Sequence, residues 1–144
     1  MKYLNGSVSR MILAATLGLC SYVVPAFAEE EAAVAPELVE VSHCQLADYV
    51  QGSATNTIKI VGHTFSPKCL RVPVGAQVTI QAGGIHPLQG QPEINGAANP
   101  LITSNGGATS PVTITLRTVG QIGYYCENHG SPDGEGMAGA ILVQ

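Results

Sequence analysis

The sequence predicts an all-β domain, an antiparallel sandwich or barrel of short strands. Apolar and polar residues alternate with period two in 57–60 and 77–81. The cleanest case is 112–117, where Val112, Ile114 and Leu116 share one face and Thr113, Thr115 and Arg117 the other. Turn-forming residues punctuate these runs at Ser66-Pro67, Pro73-Val74-Gly75, Gly83-Gly84 and Val119-Gly120. Beyond Asp48 no segment keeps a helical period. Short strands at this spacing build sandwiches and barrels.

Taken in order, residues 1–28 read as an export signal. Lys2 and Arg10 give a positive start, 11–24 is an apolar run, and Ala26-Phe27-Ala28 supplies the small-x-small cleavage pattern. The run is shorter than the roughly 20 residues a spanning helix needs, so no transmembrane segment is expected after cleavage. The product is expected to be periplasmic or secreted. The 116 residues that remain suit one domain, burying about two-thirds of its unfolded surface. All ten acidic residues lie there against four basic ones (Lys59, Lys68, Arg71, Arg117), a net −6 with histidines neutral. Such a chain cannot neutralise a phosphate backbone, which excludes nucleic acid as a partner. Residues 29–40 (EEEAAVAPELVE) form an acidic leader expected to be flexible, and 41–144 the folded domain.

Cys44, Cys69 and Cys126 survive cleavage. In an oxidising compartment cysteines pair, and an odd one needs a separate role. The economical solution is a Cys44–Cys69 disulfide with Cys126 held as a metal thiolate, although sequence alone leaves connectivity open. His43 beside Cys44 lacks the further donors that structural zinc requires. The polar segment 91–110, rich in Gly, Asn and Pro, is too long for a hairpin and is expected to cross between sheets.

The strand at 121–126 puts Ile122, Tyr124 and Cys126 on one face, so the Cys126 sulfur is expected to point inward at the end of the sandwich. His129 follows on the loop. Met137 opens the closing strand, where Met137, Gly139, Ile141 and Val143 alternate with Ala138, Ala140 and Leu142. A fourth donor, His86, lies forty residues before Cys126, in AGGIHPLQG. Singly, these are a buried thiol, a loop histidine and a core methionine. Together they are a soft, mixed donor set that suits copper, held by two His and one Cys with a weak axial Met. Zinc is disfavoured because methionine is not among its usual ligands. His63, isolated in sequence from other donors, is expected to be a surface or strand-end histidine.

Tyr125-Cys126-Glu127-Asn128-His129 followed by Gly136-Met137-Ala138-Gly139 resembles the C-terminal ligand loop of the cupredoxins, specifically the plastocyanin-like and pseudoazurin-like blue copper proteins. Upstream, the spacing of Phe65, Ser66, Pro67, Leu70, Val72, Gly75 and Val78 resembles the strand-turn-strand before their first histidine ligand. The resemblance runs from about 57 to 143. It implies a Greek-key, cupredoxin-like β-sandwich of about seven to eight strands and one type 1 copper ion. His86, Cys126 and His129 would be the strong ligands and Met137 the axial one. Two features depart from the family pattern. Seven residues, 130–136, separate His129 from Met137, which frees Met137 to sit farther from the metal or to yield to another donor. Pro87 stands where an Asn commonly ties the two ligand loops together, so a different tie is needed.

The resemblance implies a one-electron carrier that cycles copper between Cu(I) and Cu(II) and passes electrons between a protein donor and acceptor. No enzyme activity of its own is expected, and the chain is expected to be a monomer. His129, on the exposed loop, would be the electron port. Tyr125 would be either a partner-facing route to Cys126 or a sheet-packing residue. The nearby Glu127, Asp133 and Glu135 permit a basic partner. The alternative is a periplasmic copper-binding or delivery protein, but one rigid site with no Met-rich or His-rich tract suits hand-over poorly. A thiol enzyme pairing Cys126 with His129 or His86 would leave Met137 without a role. A copper oxidase or nitrite reductase would need a second metal centre and a longer chain.

Overall fold

Two β-sheets face each other in a computed structural model that describes residues 37–96 and 98–144. The signal segment 1–28 and most of the leader 29–40 lie outside the described residues. After a 3-10 turn at Leu46–Asp48 come β1 (Val50–Gln51), β2 (Thr55–Val61), β3 (Thr64–Ser66), β4 (Cys69–Val72) and β5 (Gln77–Ile80). Then follow β6 (Leu88–Gly90), β7 (Val112–Thr115), β8 (Gly120–Gly130) and β9 (Gly136–Val143). One sheet has the order β1-β4-β9-β8-β6 and the other β3-β2-β5-β7. Among the described residues no helix is long and apolar enough to cross a membrane.

The all-β architecture agrees with the alternation in the sequence. The strand count is slightly higher than expected because β1, β3 and β6 are two or three residues long, too short to show a period. One expectation needs correcting: the sheets are mixed rather than purely antiparallel. β1 with β4, β4 with β9 and β2 with β5 are parallel pairs. After β2 the chain makes the β2–β3 hairpin, passes to the other sheet as β4 and returns as β5 beside β2. That double change of sheet is a crossover, and crossovers give parallel neighbours. The segment after β6 crosses from the first sheet to β7 of the second, as its length implied.

The facing sides of the sheets form one core. Ile58, Val78, Ile80 and Ile114 come from one sheet, and Leu70, Val72, Ile122, Tyr124, Ile141 and Val143 from the other. Each such side chain contributes about 1.5–3 kcal/mol when fully buried. Phe65 meets Tyr124 edge-to-face across the sandwich, ring centroids 4.9 Å apart. β9, in the middle of its sheet, is buried on both sides. Behind it Ala140 packs with Val41, Cys44 and Cys69, so the segment before β1 covers the outer face. The Tyr124 hydroxyl donates to the Lys68 carbonyl at 3.2 Å. Its ring lies over Gly139, where a Cβ would run into that hydroxyl and that carbonyl.

Cys44 and Cys69 form the expected disulfide, with Cα atoms 5.7 Å apart, and Cys126 is a free, buried cysteine. The bridge closes a loop of 25 residues, which stabilises by about 3 kcal/mol through the unfolded chain. Replacing both with serine is expected to lower urea-unfolding stability by about that amount. Unchanged stability would show that the outer-face segment is held without the bridge.

Candidate metal centre

β8 and β9 pair regularly from Gly120↔Val143 to Tyr125↔Ala138, and meet again at Gly130↔Gly136. Between these two pairs, residues 126–129 of β8 face Met137 alone on β9. The excess chain must bulge, and bulges re-aim side chains. The neck beyond it is built from two residues without side chains. A Cβ on Gly130 would stand 2.5 Å from the Met137 carbonyl oxygen, and one on Gly136, whose φ is +69°, would strike the His129 carbonyl oxygen. Residues 131–135 form a tip outside this neck, closed by Ser131 N–H donating to the Glu135 carbonyl at 3.1 Å. The extra length between His129 and Met137 is taken up there. Met137 therefore stays opposite the bulge, buried in the same cluster as Cys126.

His86 is presented by a two-residue turn in which Gly83 and His86 exchange backbone hydrogen bonds at 3.1 and 3.0 Å. β6 then pairs with β8, Leu88 against Cys126. Two bonds tie this turn to the bulge. The Glu127 N–H donates to the Pro87 carbonyl at 3.0 Å, and the Asn128 amide donates to the Ile85 carbonyl at 3.1 Å. The tie that Pro87 cannot make from its own side is thus supplied from the other loop.

Glu127, Asp133 and Glu135 are exposed, and each also makes a contact within the chain. Glu127 accepts from the Gly107 N–H at 2.7 Å. Glu135 pairs with the His43 ring at 2.8 Å. The Ser131 hydroxyl and the Glu135 N–H hold the Asp133 carboxyl below the usual range.

His63 occupies the Gly62-His63 turn between β2 and β3, closed by the Val61↔Thr64 pair, with Gly62 at φ +60°. It is exposed at a strand end, as expected, but it is not isolated. Its ring stacks on His129 with centroids 4.2 Å apart and planes 16° from parallel, and its centroid lies 5.7 Å from that of His86. His63, His86 and His129 each offer a ring nitrogen, all within 4.8 Å of one another.

At the centre, Cys126 Sγ lies 3.4 Å from His129 Nδ1 and 3.7 Å from His86 Nδ1. A first-row metal ion bonds imidazole nitrogen at about 2.0 Å and thiolate sulfur at about 2.3 Å, so donors spread evenly round one ion stand about 3.7 Å apart. The two sulfur–nitrogen distances fit that spacing. Burial, and then the neighbouring imidazoles of His63 and His86, hold His129 below the usual histidine range. This favours the neutral ring that metals bind. The fold therefore brings His86, Cys126 and His129 together, sets Met137 opposite the bulge, and adds His63.

No protein-family model and no curated protein matches the chain. Among solved structures it is similar to a pseudoazurin from Sinorhizobium meliltoi, at 25% identity and a TM-score of 0.48, over 66% of this chain and 75% of that one. It is similar to a purple cupredoxin from Nitrosopumilus maritimus, at 25% identity and a TM-score of 0.43, over 62% and 99% of the two chains. It is also similar to a copper-containing nitrite reductase from Thermus scotoductus, at 23% identity and a TM-score of 0.49 over 68% of this chain. The match spans only 28% of that reductase.

Asn128→Ala removes one of the two bonds between the His86 turn and the β8 bulge. Supporting bonds of this kind are worth about 10–100-fold in metal affinity. A loss in that range is expected in a chelator competition for copper, and an unchanged affinity would show that the Glu127–Pro87 bond suffices.

Proposed function

We propose that the domain is a type 1 copper protein of the cupredoxin kind, carrying one electron at a time between protein partners. His86, Cys126 and His129 are its strong ligands and Met137 its axial one, which is the donor pattern of such sites. The observation that carries this reading is the convergence of one thiol sulfur and two Nδ1 atoms at 3.4 and 3.7 Å. Copper bound there would supply a one-electron couple between Cu(I) and Cu(II). The chain's own residues provide the rest.

Cys126, fully buried, offers its sulfur away from solvent. The apolar surroundings of Cys126 and Met137 keep water from the site and tune its potential. The Asn128 and Glu127 bonds fix the two ligand loops relative to each other, which limits rearrangement between oxidation states. His129 is only partly buried, and its outer edge is the route by which a partner exchanges electrons. On this reading the chain is a carrier rather than an enzyme. It works as a monomer in the periplasm or outside the cell after cleavage of 1–28.

With one equivalent of Cu(II), the protein is expected to show an intense visible thiolate-to-copper absorption that disappears in Cys126→Ser. A pale spectrum unchanged by that substitution would refute the reading. Met137→Leu is expected to keep the absorption and raise the reduction potential, because Cu(II) loses a donor. An unchanged potential would remove Met137 from the ligand set.

A further inference from the structure

Three imidazoles rather than two converge at the outer end of the site, and the third comes from a turn that the two-histidine pattern does not use. Resting on the copper reading above, we propose that His63 is a further copper ligand, so that the oxidised ion takes nitrogen from His63, His86 and His129 as well as sulfur from Cys126.

Distance is the first support. Two nitrogens on opposite sides of one ion stand about 4 Å apart. One ring nitrogen from each of His63, His86 and His129 already lies within 4.8 Å of the other two. The shortfall is less than the swing of an exposed side chain about its own torsions. Among the described residues the His63 ring forms no hydrogen bond, so coordination breaks none; its contact is the stack on His129.

Its position is also built in. β2 runs parallel to β5, with Ile58 beside Ile80. Both strands therefore end at the same edge of the sandwich, and the turn after β2 must lie beside the His86 turn that follows β5. The Gln81 side chain accepts from the Ile60 N–H at 2.9 Å, which holds the two exits together.

The chemistry gives the expected consequence. Imidazole is a good ligand for copper, and Cu(II) favours more nitrogen donors than Cu(I). A third imidazole stabilises the oxidised state, lowers the potential and weakens the copper–sulfur bond. That bond is what makes the thiolate absorption intense.

The test uses the full chain loaded with one equivalent of Cu(II), compared with His63→Ala and with His63→Phe, which keeps a ring over His129 but no nitrogen. Pulsed electron-spin resonance counts the imidazoles coupled to copper. Three are expected in the parent protein and two in both variants. Losing a ligand is expected to weaken Cu(II) binding at least tenfold while leaving Cu(I) binding unchanged. Each tenfold raises the one-electron potential by about 59 mV. Two imidazoles in the parent protein, or three in the variants, would overturn the proposal. The copper reading is scored separately by the thiolate absorption. Thiolate absorption with two imidazoles rejects His63 and keeps the reading, whereas three imidazoles without it keep His63 as a ligand and reject the thiolate site.

Discussion

Between the Tyr125–Ala138 pair and the Gly130–Gly136 pair, β8 must fit four residues against one on β9, and the geometry of the candidate site follows from that mismatch. The regular ladder fixes Cys126 at the last inward-facing position of β8. The glycine neck fixes where the chain must return. Cys126 and His129 are the two ends of the arc between these constraints, and Met137 is the single residue across from it. A longer tip outside the neck changes none of this. The neck itself tolerates little, because a Cβ at either glycine meets backbone.

The second half of the site depends on strand direction. Parallel pairing of β2 with β5 sends the His63 turn and the His86 turn to the same edge, where the β8 bulge also lies. Backbone and amide hydrogen bonds from Glu127 and Asn128 then lock the His86 turn to the bulge. Side chains from both sheets thus meet at one end of the sandwich, each carried by a short turn on a packed core rather than by a long loop. Binding groups carried on rigid elements are better pre-organised than those on mobile ones.

Much of this was legible in the sequence. Period-two alternation placed β2, β5, β7, β8 and β9. An odd cysteine count, with Cys126 set aside for a metal, made Cys44–Cys69 the economical pairing that the structure shows. Burial of Ile122, Tyr124 and Cys126 matches the inner face read from spacing. Parallel pairing was not legible, because alternation marks which face a residue takes and is silent on which strand lies beside it. His63 was missed for that reason: its nearest donors are twenty or more residues away in sequence and adjacent only through the β2–β5 pairing. The signal that could have found it is the short Gly62-His63 turn between two apolar-alternating runs. The role of Glu127 was missed for a similar reason, since its partner Gly107 lies in the crossing segment, whose path spacing cannot give.

The most direct measurement is anomalous diffraction from crystals of the copper-loaded protein, with data collected on both sides of the copper absorption edge. The expected result is one copper peak within bonding distance of Cys126 Sγ, His86 Nδ1 and His129 Nδ1. A peak that lies out of reach of the Cys126 sulfur, or that sits instead between His43 and Glu135, would contradict the assignment of the β8 bulge as the copper site.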